Sequence, residues 1–231
     1  MSVAEFSPTF APTQPVQLVR PAHLDRAARG AVVGSVAAVP PITMLHMSAT
    51  APIEPAGWTI SDYVVSLPHG TLLFALTTGA LAIGAAGLAQ GLVPAAGTGR
   101  IRALLGLWAT GLVVAAVFPT NLRGTPQNLS SHIHLYAGAV AFAVLPIAAW
   151  LLARHLRAAA NRWTAPAAVL GGFALVGGLL STALIVNRMP GLIGLPELMP
   201  PGILQRVAGA AQIGLLAVAA IAVLRTAARA R

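Results

Sequence analysis

The sequence predicts an all-α fold, a polytopic transmembrane bundle of six helices with the N-terminus and the C-terminus both cytoplasmic. Three observations carry that expectation. Of the 231 residues, 57% are hydrophobic and only 8% are charged, whereas a soluble domain carries about a quarter charged residues to cover its surface. The 23 glycines and 18 prolines would weaken soluble helices, yet membrane helices tolerate both because neighbouring helices re-satisfy the freed backbone groups. Finally, the apolar residues gather into runs that approach the ~20 residues needed to cross a hydrocarbon core of ~30 Å.

Taken in order, residues 1–28 mix Pro, Ser, Thr and Gln with a few charges and show no helical period, so they read as a disordered cytoplasmic tail. Residues 29–226 form the transmembrane domain and 227–231 a second short cytoplasmic tail. The first run, Ala31 to Met47, follows Arg20, Arg26 and Arg29 and contains Pro40-Pro41, which should kink or break the helix in its outer half. Its end, Ser48-Ala49-Thr50-Ala51, is similar to a signal-peptidase site, but the run starts late and is long for a signal sequence, so it is kept as an anchor. Further runs extend over Leu67–Leu92, Ala103–Phe118, His132–Ala153, Ala165–Val186 and Ile203–Leu224. The third is short and could begin nearer Arg102. Compact connections at 93–102 and 154–164 favour antiparallel neighbours.

Arginine placement sets the orientation, because positive charge beside a span resists translocation. There is no lysine. Arg20, Arg26, Arg29, Arg100, Arg102, Arg154, Arg157, Arg162, Arg225, Arg229 and Arg231 fall on one side of alternating spans, and only Arg123, Arg188 and Arg206 on the other. The first side is therefore cytoplasmic and the membrane is the cell membrane. The same scatter lacks the basic stripe with interleaved aromatics that phosphate-backbone binding requires, so nucleic acid is not an expected partner. With no cysteine, disulfides, thiolate nucleophiles and cysteine metal sites are excluded. Trp108, Trp150 and Trp163 are expected near span ends, at headgroup level. Gly79, Gly84, Gly87, Gly171, Gly172, Gly177 and Gly178 are expected to let helices approach closely, since in lipid association depends on packing through small side chains.

On this topology His46, Asp62, His69, Arg123, His132, His134, Glu197 and Arg206 collect at the outer ends of the spans. Ionisable groups near hydrocarbon mark either a functional pocket or a locking network. The structural reading, a polar lattice that pins loops and satisfies helix ends, is preferred. The functional alternative makes Asp62, His134, Glu197 and Arg206 the candidate catalytic residues of a pocket open to the outer leaflet, with an acid paired to Arg206 or Arg123 and a histidine moving protons. His132-Ile133-His134 is not expected to chelate a metal, because residues two apart on a helix point to nearly opposite sides. A bis-histidine haem between His69 and His134 lacks a matching pair deeper in the membrane, so neither metal nor cofactor is expected. Asn128-Leu129-Ser130 fits a glycosylation sequon, relevant only in a secretory eukaryotic host.

Ile60-Ser61-Asp62-Tyr63 after the first span, Phe118-Pro119-Thr120-Asn121 closing the third, a histidine opening the fourth and Leu204-Gln205-Arg206 opening the sixth together resemble the domain of unknown function 998 family. These are small six-span membrane proteins of bacteria and archaea, and the similarity runs over about residues 28–226. The resemblance implies that Asp62, Pro119, His134 and Arg206 are signature positions, and it implies no established reaction. Asn121 stands where the family often has an aspartate, and the family histidine is either His132 or His134.

The functional expectation is an accessory or lipid-interacting membrane protein with membrane lipids as its partners. The alternatives are an intramembrane enzyme acting on a lipid or isoprenoid at the outer leaflet, and a small-solute transporter. The transporter ranks last, because the span centres offer only Thr77, Thr78, Thr110, Ser181, Thr182 and Gln212 as polar groups.

Overall fold

A computed structural model describes residues 21–48, 54–92, 97–122, 124–160, 162, 164–188 and 199–229. Among these residues every regular element is a helix and there is no strand. The helices are α1 (Pro21–Ala37), α2 (Val39–Met47), α3 (Ile60–Ser66), α4 (Gly70–Gly91), α5 (Thr98–Val117), α6 (Leu129–Ala159), α7 (Ala165–Arg188) and α8 (Pro201–Arg229). Six stretches are long and apolar enough to cross a membrane: α1 and α2 together over Leu24–Met47, then Gly70–Gly91, Thr98–Val117, Leu129–Ala159, Ala165–Asn187 and Pro201–Thr226.

The first span departs from expectation at its beginning. Helix α1 starts at Pro21, so residues 21–28, assigned above to the tail, are helical, and Leu24 and Ala28 are buried against the bundle. Proline suits a first helical turn, where its missing N–H would have no intrahelical partner. Pro40-Pro41 marks the junction of α1 and α2, as the sequence suggested. Two amide hydrogens are missing there, yet Ala38 keeps αR geometry, so the backbone stays on the helical path. The third span begins at Thr98, which resolves its apparent shortness. Arg102 Nε donates to the Ala89 carbonyl, 3.0 Å away in the last turn of α4, so one arginine of the basic rim also closes a helix end.

Consecutive spans are neighbours, and the last returns to the first: α1 packs on α4, α4 on α5, α5 on α6, α6 on α7, α7 on α8 and α8 on α1, with α6 also touching α8. The closest crossing is a glycine contact between α1 and α4. A Cβ on Gly34 would lie 2.5 Å from the Ala80 carbonyl oxygen and 3.1 Å from Gly84 Cα. Gly84 therefore plays the packing role expected of it, and Gly177 and Gly178 lie against Pro146 of α6. Gly79 and Gly172 do not, since a Cβ at either would meet nothing within 4 Å.

The main core fills one half of the bundle, where the arginine-bearing ends of the helices lie. It runs from Leu24 and Ala28 through Leu88, Ile101, Leu152 and Leu170 to Leu216 and Val223. Trp108 belongs to it, 1% exposed, and not to an interfacial belt as the sequence reading placed it; Trp150 packs against the same core, and Trp163 lies outside the described residues. The other half holds two small clusters, Leu45, Ile60, Tyr63, Val64 and Leu73 on one flank and Leu184, Leu204 and Ala208 on the other.

Candidate functional site

Between those two clusters lies a cavity of about 370 Å³. Its deep walls are apolar, with Leu81, Trp108, Leu112, Ala141, Phe142 and Ile213, and its polar end carries His46, Ser61, His134, Gln205 and Arg206. The volume falls in the range of about 300–1,000 Å³ typical of small-molecule sites. A smaller cavity of about 70 Å³, lined by Thr120, Gln127, Ser131 and Leu184 among others, shares Ser61, His134, Gly138, Phe142 and Gln205 with the first.

Helix α3 builds the polar end. Nothing in the hydropathy pattern singles out this short helix, which the loop after the first span forms by capping itself. Thr59 N and Thr59 Oγ1 both donate to Asp62 Oδ2, at 2.7 and 2.8 Å, while Asp62 N donates to Thr59 Oγ1 at 3.2 Å. This reciprocal box satisfies the first turn and explains why an acid sits at that position. Asp62 is thus a helix cap, half-buried and absent from the cavity walls. Its neighbour Ser61, which sequence reasoning passed over, points inward instead.

His134 is the buried member of the histidine pair and His132 the exposed one, so His134 is the one that faces the bundle interior. Its Nδ1 lies 2.8 Å from the Ala115 carbonyl oxygen and 2.9 Å from that of Phe118, in the last turn of α5. Both partners can only accept, so Nδ1 carries the proton. The unprotonated Nε2 then accepts from Ser61 Oγ, 2.9 Å away. His134 thereby ties α6, α5 and α3 together and leaves its basic nitrogen against a hydroxyl.

Arg206 stands in the second turn of α8. Its Nη1 donates to the carbonyls of Pro55 and Trp58 at 2.6 and 2.8 Å, and its guanidinium lies over the Tyr63 ring with 4.8 Å from Cζ to the ring centroid. Nε and Nη2, the parallel donor pair on the other edge, are buried and have no partner among the described residues; the same is true of Tyr63 Oη. Next to it, Gln205 Oε1 accepts from Ile60 N at 2.6 Å. The α8 start approaches the 55–58 loop so closely that Gly202 N donates to the Ala56 carbonyl at 2.9 Å, and any side chain on Gly202 would collide with the carbonyls of Pro55, Ala56 and Trp58.

The remaining candidates scatter. His46 Nδ1 bonds the Ile42 carbonyl of its own helix at 2.6 Å and lies beside Tyr63. His69 is exposed in the turn before α4, in a left-handed conformation (φ 61°), and it does not line the cavity. Glu197 and Arg123 lie outside the described residues. No group of three or more His, Cys, Asp or Glu side chains that would hold a metal occurs among the described residues. Asn121 donates to the Pro126 carbonyl, a bond an ionised aspartate has no proton to make. Asn128, the candidate glycosylation site, caps α6 by accepting from Ser131 N at 2.9 Å. Deeper in the cavity, Thr77 and Thr78 bond carbonyls of their own helix, and Gln212 Nε2 reaches Phe142 O and Ser181 Oγ, both at 3.0 Å, while Gln212 Oε1 is buried with no partner among the described residues.

The family model described as Protein of unknown function (DUF998) matches residues 32–222, so the chain belongs to that family. No curated protein and no solved structure matches the chain. Family membership and six apolar spans together make it a multi-pass integral membrane protein.

Proposed function

We propose that this six-span member of the DUF998 family is a lipid-interacting protein of the cell membrane that holds an anionic amphiphile in the cavity at its α3 end. The observation that carries the reading is the free edge of Arg206. Two parallel N–H donors, buried and without an acceptor among the described residues, stand at the polar end of an otherwise apolar cavity. A buried charge left unpaired is costly. The Nε–Nη2 edge matches two oxygens of one carboxylate or phosphate, while Leu81, Leu112, Phe142 and Ile213 suit a hydrocarbon chain. The arginine bias supports an outward-facing cavity end, with Arg100, Arg154 and Arg157 at the opposite, cytoplasmic rim.

Lipid extraction from the purified protein, followed by mass spectrometry, tests the reading. Wild type is expected to carry anionic amphiphiles enriched over the surrounding membrane. Arg206→Gln, which removes the charge and the Nε–Nη2 donor pair, should abolish the enrichment, and Leu112→Trp should fill the cavity and reduce total retained lipid. Equal lipid profiles for wild type and Arg206→Gln would defeat the proposal. The sequence contains no cysteine, so single cysteines at the exposed positions Gln127 and Ala158 report orientation directly. Gln127→Cys should react with an impermeant maleimide from outside and Ala158→Cys only after permeabilisation.

A further inference from the structure

Ser61 and His134 form the pairing of an activated nucleophile: a hydroxyl 2.9 Å from the lone-pair nitrogen of an imidazole whose other nitrogen is anchored. In the serine-histidine template the anchoring group is a third partner that fixes tautomer and ring direction. Here the carbonyls of Ala115 and Phe118 do this through Nδ1–H. Two further features turn a hydrogen-bonded pair into a site. The pair lies where the two cavities meet: a larger apolar space on one side and, on the other, a small one walled in part by Thr120, Gln127 and Ser131. Gln205 borders both cavities. Because its Oε1 is committed to Ile60 N–H at 2.6 Å, its amide assignment is fixed and its NH2 group remains as a donor on a residue that lines both cavities together with Ser61.

We infer that this site catalyses acyl transfer from a lipid ester to water, with Ser61 as nucleophile and His134 as general base. This rests on the proposed lipid-holding cavity and names its substrate class, an ester of a long-chain fatty acid. The acyl chain occupies the larger cavity and the alcohol portion the smaller one. Ser61 Oγ bonds to the ester carbonyl carbon as His134 Nε2 takes the hydroxyl proton, and the carbonyl oxygen becomes an oxyanion facing the Gln205 amide donor. The C–O bond to the alcohol breaks, and the alcohol leaves with the proton from His134. Water then gives its proton to His134 and adds to the acyl-Ser61 carbon; Ser61 departs, recovers the proton, and a free fatty acid is released. Asp62 takes no part in these transfers; by capping α3 it positions Ser61.

The experiment uses the full chain in nanodiscs, treated with a long-chain alkyl fluorophosphonate and, separately, with p-nitrophenyl esters of short and long fatty acids. The expected results are one covalent adduct on Ser61 by peptide mass spectrometry and nitrophenol release that rises with chain length. Ser61→Ala should lose the adduct and reduce release at least about 100-fold, with the folded protein still eluting as a single species on size-exclusion chromatography. Should Ser61→Ala fail to fold, Gln205→Glu keeps the acceptor for Ile60 N–H and removes the donor; release should fall on the order of 100-fold. Wild type that retains anionic amphiphile but acquires no adduct on Ser61 and cleaves no ester overturns acyl transfer and leaves the lipid-holding reading intact. An adduct on Ser61 without enriched amphiphile overturns the lipid-holding reading alone, and unchanged release in Gln205→Glu overturns the oxyanion role.

Discussion

The two halves of the bundle are built from the same composition and behave differently. At the arginine-rimmed half, small and branched apolar side chains from all six spans meet in one continuous core, and the charged groups lie at its edge. At the α3 half, the apolar residues divide into two clusters, and polar side chains line the space between them. In a membrane, closing a bundle takes shape complementarity, because lipid tails are as apolar as the core. The open half therefore stays open where α3 packs against α2, α4 and α8.

Substitutions can break this contrast, and the largest effect is expected at the seam that closes the first half. Gly34→Leu forces a side chain into the α4 backbone, so folded protein should be lost, on the order of 3 kcal/mol or more, with aggregation on size-exclusion chromatography. Next come paired truncations. Leu88→Ala, in the closed half, should cost about 2–5 kcal/mol by leaving a new void, whereas Leu112→Ala enlarges a cavity that already exists and should cost less than about half as much; equal losses in thermal unfolding would erase the distinction between the halves. His134→Ala should cost about 1–3 kcal/mol, since Ser61 and two carbonyls lose their partner, while His132→Ala, exposed one turn-half away, should stay within about 0.5 kcal/mol. Smallest among the site residues is Asp62→Asn. It weakens one helix cap, costing about 1 kcal/mol, and should leave the lipid profile unchanged if Asp62 only positions α3.

Much of this molecule was legible before any tertiary structure. Residues such as Leu73, Leu81 and Leu88 mark a span by hydropathy alone. The segregation of Asp62, His134 and Arg206 at one end follows from alternation of spans. Other features were invisible for identifiable reasons. Trp108 looked interfacial because it lies a few residues from arginines, but α5 begins five residues earlier than its apolar run and carries the ring inward. Gly34 gave no signal, since only the partner backbone of α4 shows that its missing Cβ matters. Ser61 was overlooked beside a charged neighbour, although in the helix the carboxylate turns back to its own cap and the hydroxyl faces the cavity.

Local quantities therefore determined the architecture: run length sets the number of spans, and the cost of burying charge sets which residues may sit at their ends. The tertiary fold alone brought the candidate pair together, because Ser61 and His134 are 73 positions apart and meet only through the docking of a seven-residue helix that no hydropathy window detects. Which of two histidines faces inward, and which edge of Arg206 has no partner among the described residues, depend on helix rotation and packing, and neither is written in any single segment of the chain.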